Sequence, residues 1–168
     1  GRYANVITAL QFERLLSASG PTMGHVQRPS DGKAPKRIAF LQCVGSRDQS
    51  HDYCSAVCCM FATKEAVIAK DHQPDLDVHV FMMDMRAVSK GYLSYFDRAR
   101  ERYGVQYHRS RISALYEGAR SNDIFLRYMD ENGEMQDERF DLVVLSIGME
   151  ISESVRDLGR RLCVELDE

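Results

Sequence analysis

With 168 residues, the chain has room for one ordinary domain core. A net charge of −3 provides no global basic field, which argues against nucleic acid or anionic membrane as partners. The apolar share of 44% suits a globular protein. No apolar run approaches the roughly 20 residues that span a bilayer, so direct membrane insertion is not expected.

The chain opens at Gly1-Arg2-Tyr3 without an initiator Met or a secretory signal, and reads as a piece of something longer. Thr8 and Gln11 form a capping-box pattern that predicts a short helix through Leu10, Phe12, Leu15 and Leu16, ended by Gly20-Pro21. Residues 20–36 carry three glycines and three prolines and read as a loop or linker. Arg37–Gln42 reads as a buried strand. From about Ser55 to Ala69, Val57, Met60, Phe61, Val67 and Ile68 recur at helical spacing. Val78–Met82 is a second strand. Gly91–Tyr103 is amphipathic, with Tyr92, Tyr95, Phe96, Ala99 and Tyr103 on one face, and Gly104 stops it. Val105–His108 is a third strand. This β-α-β-α-β order predicts an α/β, Rossmann-like domain in three layers, with a mainly parallel sheet and crossover helices.

The texture then changes. Ile112–Tyr116, Ile124–Met129 and Met135–Phe140 predict a small antiparallel meander, with Asp130-Glu131-Asn132-Gly133 as the last turn. Leu142–Ile147 is wholly apolar, apart from Ser146, and predicts a return to the parallel sheet. Ser152 or Ser154 would cap a final helix through Val155, Leu158 and Leu162. Leu166-Asp167-Glu168 reads as the start of a further strand.

The densest chemistry lies in one window. Cys43, Cys54, Cys58 and Cys59 are spaced C-x10-C-x3-C-C, while Cys163 stands far off. Five cysteines, four of them clustered, suit a cytoplasmic thiolate site rather than a secreted disulfide scaffold. Four thiols can converge on one metal centre. The adjacent Cys58-Cys59 pair favours a [4Fe–4S] cube, which offers a separate iron to each thiolate, over one tetrahedral zinc. A Cys54–Cys58 redox dithiol, a vicinal Cys58–Cys59 disulfide and buried small hydrophobes stay open as alternatives. Cys43 falls just past the first strand, where ligands bind in doubly wound sheets. Cys54 is expected at the start of the next helix with Cys58 one turn on, and the helix N-terminus would stabilise thiolate charge. Gly45 and Ser46 could turn N–H or O–H donors toward sulfur.

A dinucleotide-binding unit would place G-x-G-x-x-G between the first strand and helix. Here the sequence is Cys43-Val44-Gly45-Ser46-Arg47-Asp48, keeping only Gly45. A phosphate loop has, in effect, been rebuilt as a cysteine loop. Asp84 sits where a ribose-binding acid is expected, and Arg86 would suit a 2′-phosphate. An NAD(P)-binding module with structural zinc or a redox dithiol is therefore the competing reading. His51 lies in the cysteine loop as an alternate ligand. The Arg98–Arg111 group reads as a solvated face, and the eight methionines as core filler.

Phe40-Leu41-Gln42-Cys43-Val44-Gly45-Ser46-Arg47-Asp48, Tyr53-Cys54-Ser55-Ala56-Val57-Cys58-Cys59-Met60 and Thr63-Lys64-Glu65-Ala66 resemble the heterodisulfide reductase A-subunit family. They also resemble the flavin/iron–sulfur subunits of quinone-interacting membrane-bound oxidoreductase. Asn5–Thr8, Phe12–Thr22 and Asp141–Gly148 look like the same family. The resemblance implies a thioredoxin-reductase-like flavoprotein core whose second nucleotide domain is this segment. It implies a [4Fe–4S] cluster on Cys43, Cys54, Cys58 and Cys59, passing electrons to or from FAD, with no catalytic side chain required. It divides the chain into residues 1–34, a connecting helix and linker from a split FAD domain; 35–148, the Rossmann-like domain; and 149–168, a return segment. Gly148 would be flavin-adjacent backbone. The FAD fingerprint is absent, so FAD would be held by the parent protein. Implied partners are other heterodisulfide reductase-like or membrane quinone-oxidoreductase subunits and ferredoxin-type carriers.

Overall fold

The computed structural model describes residues 2–119 and 121–164, so the strand expected at Leu166–Glu168 lies outside the described residues. The elements in chain order are β1 (Val6–Thr8), α1 (Ala9–Leu16), β2 (Arg37–Val44), α2 (Cys58–His72), β3 (Asp77–Met82) and α3 (Tyr92–Glu101). There follow β4 (Gln106–Arg109), β5 (Ile112–Glu117), β6 (Ile124–Met129), β7 (Met135–Phe140), β8 (Leu142–Ile147) and α4 (Glu153–Arg161).

Five strands form a parallel sheet in the order β1-β8-β2-β3-β4, and β5-β6-β7 form an antiparallel meander. This is the expected Rossmann-like architecture. Strand alternation sends side chains to both faces of the sheet. Ile38, Phe40, Val78, Val80, Leu142 and Val144 pack under the helices. Ala39, Leu41, Phe81 and Val143 pack under the meander, against Ile124, Leu126 and Phe140. The result is three layers: helices, parallel sheet, meander.

Local chemistry sets the element ends. Thr8 and Gln11 complete a capping box at α1. Ala62, Ala66 and Ala69 are fully buried on α2, where small side chains let it approach the sheet. In the β6–β7 turn, Gly133 adopts φ +82, and Asp130 Oδ1 accepts from the N–H groups of Asn132 and Glu134. Asp141 Oδ2 accepts from the N–H groups of Lys36 and Arg37 at 2.6 and 2.9 Å, fixing the start of β2 beside β8.

Some ends differ from expectation. Val6–Thr8 is a strand, paired with Val143–Leu145, in a segment the hydrophobic pattern marks only as helix approach. Helix α2 begins at Cys58, not near Ser55, and runs on to His72. Ala56 takes a left-handed φ of +59, which no continuous helix can accommodate. Ser152 holds the N-cap position of α4, but its hydroxyl pairs with Ser154 instead of capping.

Candidate metal centre

Strand β2 ends in a distortion. Cys43 has φ +60, and the register with β8 shifts between Leu41 and Val44. This bulge turns the chain out of the sheet at its carboxyl end. Arg47 and Ala56 also lie in the left-handed region, at φ +56 and +59. Non-glycine residues held there concentrate at functional sites. The loop is pinned within itself: Asp48 Oδ1 accepts from the N–H groups of Ser50 and His51, and Arg47 N–H donates to the Tyr53 carbonyl at 3.1 Å.

The other wall is the end of β8. Gly148 N–H donates to the Val44 carbonyl at 2.7 Å. Tyr53 Oη donates to the Met149 carbonyl at 2.9 Å, and Met149 N–H donates to Ser55 Oγ at 3.1 Å. Beside these walls, Cys43, Cys54, Cys58 and Cys59 line one tight recess, together with Ser46, Arg47, Asp84 and Arg86. The four expected ligand positions thus meet at one place. All five cysteines are free thiols, and Cys163 is exposed at the far end of α4.

Cys54 lies in the loop ahead of α2, not on its first turn, because the left-handed Ala56 separates the two. Its Sγ accepts from Ala56 N–H at 3.3 Å. Cys58 and Cys59 are the first two residues of α2, so both sit at its positive end. Cys58 Sγ points to the Ile147 carbonyl at 3.9 Å, and Cys59 Sγ to the Asp84 carbonyl at 3.7 Å. The two thiols therefore leave the helix toward opposite walls.

Burial pushes the Cys58 and Cys59 thiols up, and neighbouring cysteine charge adds to this. The Ser55 hydroxyl opposes the rise at Cys58 and the Arg86 backbone at Cys59. Burial also works against ionised Asp84, but Arg47 and Arg86 hold its carboxyl below the usual range. Arg47 and Arg86 both pair with Asp84, the latter at 2.9 Å. The expected ribose acid and 2′-phosphate arginine are thus engaged with each other at the cysteine recess. His51 turns away to Glu150 at 2.8 Å and does not line the recess. Gly45 takes φ +71 in the loop, and Ser46 is buried against the recess. The Arg47–Asp84–Arg86 group is a feature the sequence reading missed; only the nearness of arginine to a cysteine loop could have hinted at it.

Among the described residues, no three His, Cys, Asp or Glu side chains are grouped as they would be around a single ion. The cysteines share a recess without closing to that spacing. Four thiols, two guanidiniums and a helix N-terminus fit a group that is larger than one ion and anionic when bound to thiolates. A second, solvent-open cleft of about 380 Å³ lies on the meander side of β2, between Leu41–Gly45, Met82, Met83 and Ser110–Leu115.

Fold and loop together define a Rossmann-like domain with a cysteine loop at the carboxyl end of its second strand, where a phosphate loop would lie. No family model matches the chain. The A subunit of an H(2)/formate:CoB-CoM heterodisulfide,ferredoxin reductase from Methanococcus maripaludis is 45% identical over 168 residues, covering 98% of this chain and 26% of that protein. The second iron-sulfur A subunit of CoB–CoM heterodisulfide reductase from Methanopyrus kandleri is 47% identical over 152 residues, 89% of this chain and 23% of that protein. Over its length, the chain is similar to a segment of heterodisulfide reductase A subunits. It spans about a quarter of the length of these curated relatives. Two solved structures are distantly similar, each with a TM-score of 0.42. They are a lysine monooxygenase from Nocardia farcinica (14% identity, 79% of this chain, 38% of that one) and a sulfide:quinone oxidoreductase from Aquifex aeolicus (12%, 73% and 28%).

Proposed function

We propose that this chain is an electron-transfer segment of a flavin/iron–sulfur oxidoreductase, in which Cys43, Cys54, Cys58 and Cys59 hold a [4Fe–4S] cluster near the FAD of a parent chain. The observation that carries this is the meeting of all four cysteines of one 17-residue window in a single recess at the carboxyl end of a parallel sheet. When bound, such a cluster supplies one-electron transfer to and from a flavin.

The residues of the chain prepare the site. Thiols bind iron as thiolates, so loading releases protons from Cys58 and Cys59, whose burial otherwise keeps them protonated. Arg47, Arg86 and the start of α2 place positive charge beside the thiolates. The Gly45-Ser46 turn and Gly148 close the wall nearest β8. In this reading residues 1–34 and 149–168 border the FAD domain of the parent, and the setting is cytoplasmic. The relatives are named for heterodisulfide and ferredoxin reduction. The partners proposed here are likewise heterodisulfide reductase-like or membrane quinone-oxidoreductase subunits and ferredoxin-type carriers.

Anaerobic purification and reconstitution, followed by iron, sulfide and zinc assays, visible spectra and low-temperature EPR, test the reading. About four iron and four sulfide per chain are expected. Stoichiometric zinc without sulfide overturns it in favour of a Rossmann-like module with a structural zinc. A reversible Cys54–Cys58 disulfide without metal would instead favour the redox dithiol.

A further inference from the structure

Two polar side chains lie buried at the same end of the sheet without a partner. Gln42 is 7% exposed and Ser146 2% exposed. Neither Gln42 Nε2 or Oε1 nor Ser146 Oγ has a hydrogen-bond partner among the described residues. Buried polar groups are nearly always satisfied, so an orphaned pair on adjacent strands points to an acceptor from outside the polypeptide.

Their position narrows what that acceptor is. Leu41 pairs with Leu145 across β2 and β8, so Gln42 and Ser146 come next on neighbouring strands. Leu41 and Leu145 face the meander layer. Strand alternation therefore turns Gln42 and Ser146 to the helix side, the last polar steps above Phe40 and Val144. The first turn of α2, carrying Cys58 and Cys59, stands over this end: Cys58 Sγ reaches the carbonyl of Ile147, the residue after Ser146. Cys59 is buried, 5% exposed. Gln42 itself immediately precedes the bulged Cys43. Each orphan is thus a chain neighbour of a residue that forms or contacts the cysteine recess.

We propose that the Gln42 amide and the Ser146 hydroxyl donate hydrogen bonds to sulfur at the cysteine recess, and so raise the reduction potential of the cluster held there. This rests on the reading of Cys43, Cys54, Cys58 and Cys59 as cluster ligands. Donors to cluster sulfur favour the more negative, reduced state. Gln42 and Ser146 are positioning residues for that charge and bind no iron themselves.

The test compares Gln42→Leu, Ser146→Ala and Ser146→Thr with the unaltered chain, each reconstituted anaerobically. Iron and sulfide content are measured first, and then the midpoint potential by EPR-monitored redox titration. Gln42→Leu and Ser146→Ala should retain iron and sulfide and become harder to reduce. Together they should lower the reduction equilibrium constant about tenfold, which for one electron is about 59 mV. Ser146→Thr, which keeps a hydroxyl, should titrate as the unaltered chain does. Full clusters at unchanged potential in both Gln42→Leu and Ser146→Ala would overturn the inference and leave the cluster reading intact. Absence of iron and sulfide from the unaltered chain would overturn both. If Gln42→Leu does not fold, the Ser146 pair decides alone, since alanine removes only one oxygen.

Discussion

Gly148 presses on the carbonyl of Gly45: a β-carbon at position 148 would lie 2.4 Å from that oxygen and 3.0 Å from its carbon. The contact joins the end of β8 to the cysteine loop, and a backbone group cannot swing aside as a flexible side chain can. Gly148→Ala should therefore lower stability by about 1–3 kcal/mol, the usual cost of overpacking. It should also reduce iron retention after reconstitution. Gly45→Ala is the control: no atom lies within 4 Å of its β-carbon, and the cost is confined to its left-handed φ. Thermal melts of both variants check this, and an unchanged Gly148→Ala melt would mean the two loops part easily.

The proposed ligand set predicts a sharp division among the cysteines. Cys58→Ser removes a thiol from the recess and should lose most of the iron and sulfide, whereas Cys163→Ser, exposed beyond α4, should lose none. Parallel iron assays decide the matter. Equal loss from both would show that the ligands are misassigned.

Glu65 is fully buried on α2, and neither carboxylate oxygen has a hydrogen-bond partner among the described residues. Burial, reinforced by the negative charge of Glu13 and opposed by Lys64, pushes its carboxyl up to about 9. Between the unfolded value near 4.5 and this one, the folded chain holds a proton that the unfolded chain has released. Stability from this group is therefore complete below about pH 4.5 and falls as pH rises toward 9. Glu65→Gln should remove that slope and add up to about 3 kcal/mol at pH 7. Urea unfolding at pH 5, 7 and 9 measures it; parallel pH profiles for variant and unaltered chain would refute the assignment.

His108 responds in the opposite sense. Its ring stacks on His79 with centroids 5.0 Å apart, and its Nε2 lies 2.9 Å from His79 Nδ1, in a group with Asp77, Arg37 and Glu138. Burial first, and then His79, hold its imidazole below the usual range. As pH falls through about 6.5, the unfolded chain takes up the proton first, so stability drops below that pH. His108→Gln should flatten the acid limb of the stability curve. A limb of unchanged steepness would place the titration elsewhere.

Much of this was legible in the residues. The capping box of Thr8 and Gln11, the alternation in β6 and the Asp130–Gly133 turn are local signals, and each forms as its chemistry dictates. Three residues at Val6–Thr8 are too few to show a strand period, and their pairing with β8 is purely tertiary. Helix α2 starts later than its apolar spacing suggests because a left-handed alanine carries no sequence mark; Ala56 reads as a good helix former. The cysteines named the site, but the orphaned Gln42 and Ser146 emerge only once β2 and β8 lie side by side.

Strand β8 is the last of the described strands to be synthesised, yet it lies inside the sheet, between β1 and β2. The cysteine window is complete by residue 59, while Ile147, Gly148 and Met149, which wall the recess, follow only after the whole meander. Until then β1 lacks the strand it pairs with here and the thiols face an open flank. Pairings this distant in sequence close slowly. During synthesis, then, there is an interval in which the cysteine window lacks the flank that the end of β8 supplies. Under the proposed cluster reading, oxidation of these thiols competes with loading throughout that interval, so the order of the strands sets how long the nascent chain depends on a reducing environment.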